Sequence, residues 1–183
     1  MRYLFLCFAL LFCNLSFSQH TPHFLERTQS IQPSDTSLVQ RHYKNGVIKE
    51  EGKNLAYKMP EYTYFRKYGL YKTYYKDGIL KSEVTYDRFG NPLTSIFYNR
   101  DGTTWWKSKT LEIDLAIEDP SLYFLTRTPV SVTKWDKELK YGQGIAAMFI
   151  KTEGKLVDGR KVGVWKVYDE LGRLEGEVNY DNR

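Results

Sequence analysis

The sequence predicts an all-β fold of antiparallel hairpins, and three observations carry that prediction. Short segments alternate apolar and polar residues with period two after residue 40. Glycines recur at equivalent places between runs of strand-forming residues, and one segment of the chain repeats another without a gap. No stretch beyond residue 40 sustains a helical period. With 183 residues and 42% hydrophobic content the chain suffices for one domain. An aromatic fraction of 16%, including 15 tyrosines, excludes a disordered or low-complexity chain.

The elements follow in chain order. Residues 1–18 carry one charge, Arg2, then an 11-residue apolar run over 3–13, then Ser16 and Ser18 flanking Phe17. This is the pattern of a secretory signal peptide, with cleavage expected between Ser18 and Gln19. The run is too short for a spanning helix, which needs about 20 residues. An alternative makes Cys13 a lipidated residue, since Leu10-Leu11-Phe12-Cys13 resembles a lipobox, but Phe12 is bulky where such sites want a small residue. Cleavage removes both cysteines, Cys7 and Cys13, so the mature chain could form no disulfide. Residues 19–40, polar and interrupted by Pro22 and Pro33, read as a tether.

The repeat body starts at residue 41. GLYKTYYKDGILKSEVTYD at 69–87 aligns on GVWKVYDELGRLEGEVNYD at 163–181 with nine of nineteen positions identical. Tyr74/Tyr168, Gly78/Gly172 and Tyr86/Tyr180 are among them, and Tyr71 stands opposite Trp165. Weaker copies contain Gly46 and Gly102. The glycines Gly46, Gly78, Gly102 and Gly172 are therefore equivalent turn positions. Asn45-Gly46 and Asp77-Gly78 alone would suit two-residue turns, but Leu171 in the place of Asp77 disfavours positive φ. A three-residue loop ending on a left-handed glycine fits every copy. After the turn, Leu80, Ser82, Val84 and Tyr86 share one strand face, as do Leu174, Gly176, Val178 and Tyr180. The opposite face is polar, as expected of a sheet with one wet side. Segments near 55–67 and 103–141 depart from the pattern. Within the second, Leu111, Ile113, Leu115 and Ile117 alternate with polar residues in an amphipathic strand, and 123–134, broken by Pro129, reads as a further strand or two.

The pattern Tyr-x-Asn/Asp-Gly, then Leu/Ile-Lys-x-Glu, then Gly-x-Trp/Tyr-x-x-Tyr resembles the variant MORN-repeat family, which includes bacterial antitoxins. The resemblance covers about 41–102 and 145–181 and is strongest over 154–165. It implies hairpins stacked into an elongated single-layered sheet, and a binding or scaffolding role rather than an enzyme. An immunity or antitoxin protein of a toxin pair is one alternative. A glycan-binding protein or carboxylate-dependent hydrolase of the envelope is another.

Chemistry can be bounded further. The body beyond His42 has no histidine or cysteine, which removes nucleophilic sites built on Ser-His-Asp or Cys-His and zinc sites of Cys and His. His20 and His23 make two ligands at most, so no metal and no cofactor is expected. Glu112, Asp114 and Glu118 fall on one strand face, neighbours two apart lying about 7 Å from each other, within range of an inverting carboxylate pair, but with no identifiable burial or perturbing partner they read first as the exposed acidic face of an amphipathic strand. Tyr71, Tyr74, Trp165 and Tyr168 recur in register and read as structural. Trp105, Trp106 and Trp135 lie outside the repeats and are the candidate binding residues. Lysines and arginines are interspersed with acids despite a net charge of +5, which argues against nucleic acid as partner. A protein partner is expected first, with a glycan or envelope lipid as alternatives, and terminal strand edges leave a homodimer by edge pairing open. The expected address is exported: periplasmic, outer-membrane associated or secreted.

Overall fold

The structure, a computed structural model, describes residues 19–181. The expected signal segment, with Cys7 and Cys13, lies outside the described residues. The elements are α1 (Pro22–Thr28), β1 (Asp35–His42), β2 (Ile48–Lys58), β3 (Thr63–Tyr74), β4 (Leu80–Tyr86), β5 (Pro92–Tyr98), β6 (Thr104–Leu115), a 3-10 turn (Pro120–Leu122), β7 (Val130–Gly142), β8 (Ala147–Val157), β9 (Arg160–Tyr168) and β10 (Leu174–Asn179). The ten strands form one antiparallel sheet in sequence order, so every connection is a hairpin and the fold is all-β, as the alternation requires.

Five turns share one geometry. In 43–47, 75–79, 87–91, 99–103 and 169–173 the first residue's N–H donates to the carbonyl of the last at 2.8–2.9 Å, and the glycine N–H donates back to the first residue's carbonyl. This is the three-residue loop with a left-handed glycine; Gly172 has φ 76°. Gly90 is the fifth member, which the sequence reading passed over. The β8–β9 connection is instead a two-residue turn on Asp158 and Gly159, both at positive φ. Asp158 is held there because its carboxylate accepts from the Val132 N–H (2.8 Å) and Ser131 Oγ (3.0 Å).

The hairpins differ in length, and this decides where the core sits. β3 pairs with β2 as far as Thr63 but with β4 only as far as Gly69. Likewise β6 pairs with β7 as far as Leu115 but with β5 only as far as Lys109. Two long arms thus overhang the short β4–β5 hairpin, leaving unpaired strand edges on either side of a gap. Segments 19–31 and 120–125 fill it. Ile113 N–H donates to the Gln19 carbonyl (2.7 Å), and Thr21 N–H to the Ile113 carbonyl (3.0 Å), which adds a short parallel strand segment to the free edge of β6. The core that results joins Phe24, Leu55, Tyr57, Phe89, Ile113, Leu115, Tyr123 and Phe124, all buried. Tyr57 and Tyr64 pack on Phe124 at ring separations of 4.5 and 5.5 Å, and Phe24 meets Phe89 edge-on at 5.3 Å. Each such side chain contributes about 1.5–3 kcal/mol on burial.

The tether reading of 19–40 is therefore corrected. A seven-residue helix is marginal alone, but α1 is capped by Thr21, whose hydroxyl accepts from the Phe24 N–H (3.0 Å), and Phe24 is 1% exposed. His20 pairs with buried Asp87 (2.7 Å) and His23 with Asp114 (2.8 Å). The two histidines engage different aspartates rather than one site. Residues 35–40 belong to β1. The departure near 55–67 is the overhanging end of the β2–β3 hairpin, and that over 103–141 holds β6 and most of β7, joined by a connection at 116–129 that leaves the sheet and feeds the core. The expected strand over 123–134 begins only at Val130, since Tyr123 and Phe124 plug the core. A bulge between Thr110 and Glu112 also takes Leu111 out of the expected apolar face, leaving it 45% exposed while Ile113 is fully buried.

Candidate binding face

Register places directly opposed residues in transverse rows, alternate rows facing opposite sides of the sheet. One row runs Tyr71, Val84, Ser95, Ser108, Asp136, Gly154, with Trp165 laid over Gly154. Tyr71 lies over Gly52 in the same way. In both places a lysine sits on the ring, Lys67 at 4.2 Å from the Tyr71 centroid and Lys161 at 4.1 Å from that of Trp165. Tyr86 and Tyr180 close each site edge-on at 6.0 and 6.2 Å. These aromatics, 3% and 5% exposed, are framework. Tyr74 and Tyr168 donate to Glu51 (2.6 Å) and Glu153 (2.7 Å), and Tyr98 to Glu83 (2.8 Å). The Tyr74 hydroxyl is pushed up to about 12, first because its neutral form donates to Glu51 and then by burial. Toward the middle of this row burial pushes the Asp136 carboxyl up, opposed by the hydrogen bond from Ser108.

The next row faces the other side: Glu51, Lys72, Glu83, Ile96, Lys107, Lys137, Glu153, Lys166, Glu177. Charges alternate in sign toward both ends, and ion pairs form between Lys72 and Glu83 (3.6 Å) and Lys137 and Glu153 (3.0 Å). At the centre the alternation fails. Lys107 stands directly opposite Lys137, a like-charge pair that costs stability rather than adding it. On the same face Thr94, Lys109, Trp135 and Lys155 form the adjoining row. Among the described residues Lys107, Lys109 and Lys155 take part in no ion pair. Between the lysines lies a shallow hollow of about 400 Å³ whose floor includes Ile96, Leu111 and Trp135. Trp135 Nε1 donates to Glu153 (3.2 Å). That carboxyl is held below its ordinary value: burial opposes this, but Tyr168, Lys137 and Trp135 outweigh it. A larger hollow of about 690 Å³ over β1–β3 brings together Leu38, Tyr68 and Leu70, with Glu51 beside Lys53 and Lys72, the latter paired with Glu83.

The three tryptophans expected to bind do not form one surface. Trp106 packs edge-on against Phe97 at 5.1 Å, and Trp105, 41% exposed, lies 5.7 Å from the same ring. Trp135 belongs to the face opposite Trp106, because Trp106 pairs with Glu138 and Lys109 with Trp135, an odd number of residues apart on both strands. The acids divide too. Asp114 accepts from Thr21 Oγ1 (2.6 Å) and His23 (2.8 Å) and is held below its ordinary value, these hydrogen bonds outweighing the opposing effect of burial. It anchors the N-terminal segment rather than forming half of a carboxylate pair. Glu118 offers its backbone carbonyl to Arg27. The lysine cluster was not legible, because its members come from three strands and meet only through register.

The family described as MORN repeat variant matches residues 67–88 and 161–182. The first span runs from the end of β3 through the Gly78 turn and β4; the second runs through β9, the Gly172 turn and β10. No curated protein matches the chain. The chain thus carries two MORN repeat variants, each holding the aromatic ring of one aromatic-over-glycine site, Tyr71 or Trp165, while Gly52 and Gly154 come from the preceding strand, within a β-hairpin repeat sheet.

Proposed function

We propose that this MORN-variant repeat protein is an exported, non-catalytic binding protein that presents the open face of its sheet to another macromolecule in the cell envelope. The observation that carries the reading is the centre of that face, where exposed Leu111 and half-buried Ile96 and Trp135 lie beside Lys107 and Lys109, which have no ion-pair partner among the described residues, and Lys137, which pairs with Glu153. Apolar side chains ringed by polar ones are the composition of an interface, and a like-charge pair that costs folding energy is accounted for when a ligand neutralises it. Export rests on residues 1–18, whose charge, apolar run and small residues fit a signal peptide. Cleavage before Gln19 is compatible with the fold, since Gln19 is held by the Ile113 N–H at its carbonyl (2.7 Å) and by its side-chain amide on the Thr110 carbonyl (2.7 Å).

The test places a photo-crosslinking amino acid at Leu111, on the open face, and at Tyr141, near the β7–β8 turn, in the tagged protein within native cells. One stoichiometric product from Leu111 and none from Tyr141, in an envelope fraction whose mature N-terminus is Gln19, is the expected result. Equal products from both positions, or none, overturn the open face as the binding surface. An intact N-terminus in the cytoplasm overturns export.

A further inference from the structure

We infer that the lysine cluster on the open face is a docking site for an extended acidic peptide segment of a partner protein, lying along β6 and β7. The inference rests on the proposed binding role and supplies its chemistry. Four cations, Lys107, Lys109, Lys137 and Lys155, project from three neighbouring strands, and Glu153 neutralises one of them. The cluster therefore favours an anion.

The shape of the charge selects the kind of anion. Carboxylates bound the cluster along the transverse row, Glu83 on one side and Glu153 and Glu177 on the other. A broad anionic surface such as a membrane would meet these acids together with the lysines, and the attraction would largely cancel. A single chain lying parallel to the strands meets Lys107 and Lys109 first and avoids the acids of the neighbouring strands, which are about 4.8 Å apart, while Glu112, exposed on the same face beyond Leu111, bounds the site along β6. Spacing along the strand then favours peptide. Lys107 and Lys109 are two residues apart on one strand, about 7 Å, the repeat at which an extended peptide turns successive side chains to the same side. Leu111 continues that series, and Trp135 stands directly opposite Lys109. The complementary segment carries acids at alternate positions followed by an apolar or aromatic residue. Its carboxylates would replace the Lys107–Lys137 repulsion with attraction, and its apolar residue would cover Leu111 and Trp135.

Fluorescence anisotropy of the full-length mature protein at low salt tests this with a labelled synthetic peptide, Asp-Ser-Asp-Ser-Phe-Ser, against its counterpart with Asn for every Asp. The acidic peptide is expected to bind, more weakly as salt rises, and the Asn peptide at least about tenfold more weakly. Lys107→Glu combined with Lys109→Glu is expected to lose binding about tenfold or more, Lys155→Gln a few-fold, and Lys76→Glu, at a distant turn, nothing. Unchanged thermal midpoints show that the variants fold; if the double reversal unfolds, Lys155→Gln alone decides. Binding that ignores the lysines, or equal binding of both peptides, overturns the assignment. So does lysine-dependent sedimentation of the protein with phosphatidylserine vesicles in the absence of peptide binding, which would make the ligand a membrane. Failure of the peptide while the Leu111 crosslink persists overturns the acidic-peptide assignment alone; loss of both overturns the binding reading as well.

Discussion

The two repeat copies, 67–88 and 161–182, hold the same parts in the same backbone and are buried differently. Gly69 and Gly163 take φ of 66° and 63°, Tyr71 and Trp165 each lie over a glycine, and Lys67 and Lys161 sit on the two rings. Yet Ser82, Val84 and Asp87 are 4%, 7% and 5% exposed, whereas their counterparts Gly176 and Val178 are half-buried and Asp181 is exposed. The cause is position in the sheet. β4 lies between β3 and β5, while β10 is an edge with β9 alone beside it. The repeat sequence encodes the hairpin and its aromatic wedge, and the next hairpin along supplies the burial.

The shared part of the comparison breaks most sharply at the glycines under the rings. A Cβ on Gly52 would stand 2.2 Å from the Tyr71 ring, and one on Gly154 2.4 Å from the Trp165 ring, in each case near the base of the ring where no terminal rotation relieves it. Gly52→Ala and Gly154→Ala are each expected to cost about 2–3 kcal/mol in urea denaturation. Gly154→Ala should be the milder, because the β9–β10 hairpin carrying Trp165 ends at a free edge and can tilt. The unshared part is tested by the equivalent valines. Val84→Ala is expected to cost about 2 kcal/mol, since it removes two methyl groups from a packed site, and Val178→Ala about 0.5 kcal/mol. Equal costs would show that β10 gains its burial by some other means, a second copy of the chain on that edge being the natural one.

What was legible in the sequence follows from the same division. Gly46, Gly78, Gly102 and Gly172 could be read because turn chemistry is local: the glycine, its preceding residues and the flanking strands lie within ten residues of one another. Gly90 escaped because its turn lies just past the aligned segment 69–87, so no second copy marks it, and Phe89 before it is apolar so that it can reach the core, where it packs with Phe24. The N-terminal segment was misread for the opposite reason. Its composition is polar, and what holds it is a hydrogen-bonded edge on Ile113 and two histidine–aspartate pairs spanning 67 and 91 residues, which no local period reveals. Trp135 was singled out by its residue type, but its neighbours Lys109 and Lys155 are set by the registers of β6, β7 and β8. The bulge that frees Leu111 to join them has no sequence mark of its own.

The smallest contrast between the copies concerns the glutamates that receive their tyrosines. Glu51 accepts from Tyr74, while Glu153 accepts from Tyr168 and also from Lys137 (3.0 Å) and Trp135 (3.2 Å). Glu51→Gln retains an acceptor for its tyrosine and should cost a few tenths of a kcal/mol. Glu153→Gln loses the charge that three donors address, and about 1 kcal/mol or less is expected because the donors stay partly hydrated. The pH dependence gives the sign. With the folded carboxyl of Glu153 below its ordinary value, the unfolded chain binds the proton more tightly. The stability it contributes is therefore complete above about pH 4.5 and is lost as pH falls through the folded value. Urea denaturation of wild type and Glu153→Gln at pH 7, 5 and 3 is expected to show a gap that persists at the first two and narrows at the third. A gap that instead widens on acidification would mean that the carboxyl is better tolerated protonated, and that Lys137 is not its partner in solution but is free to join Lys107 and Lys109 on the open face.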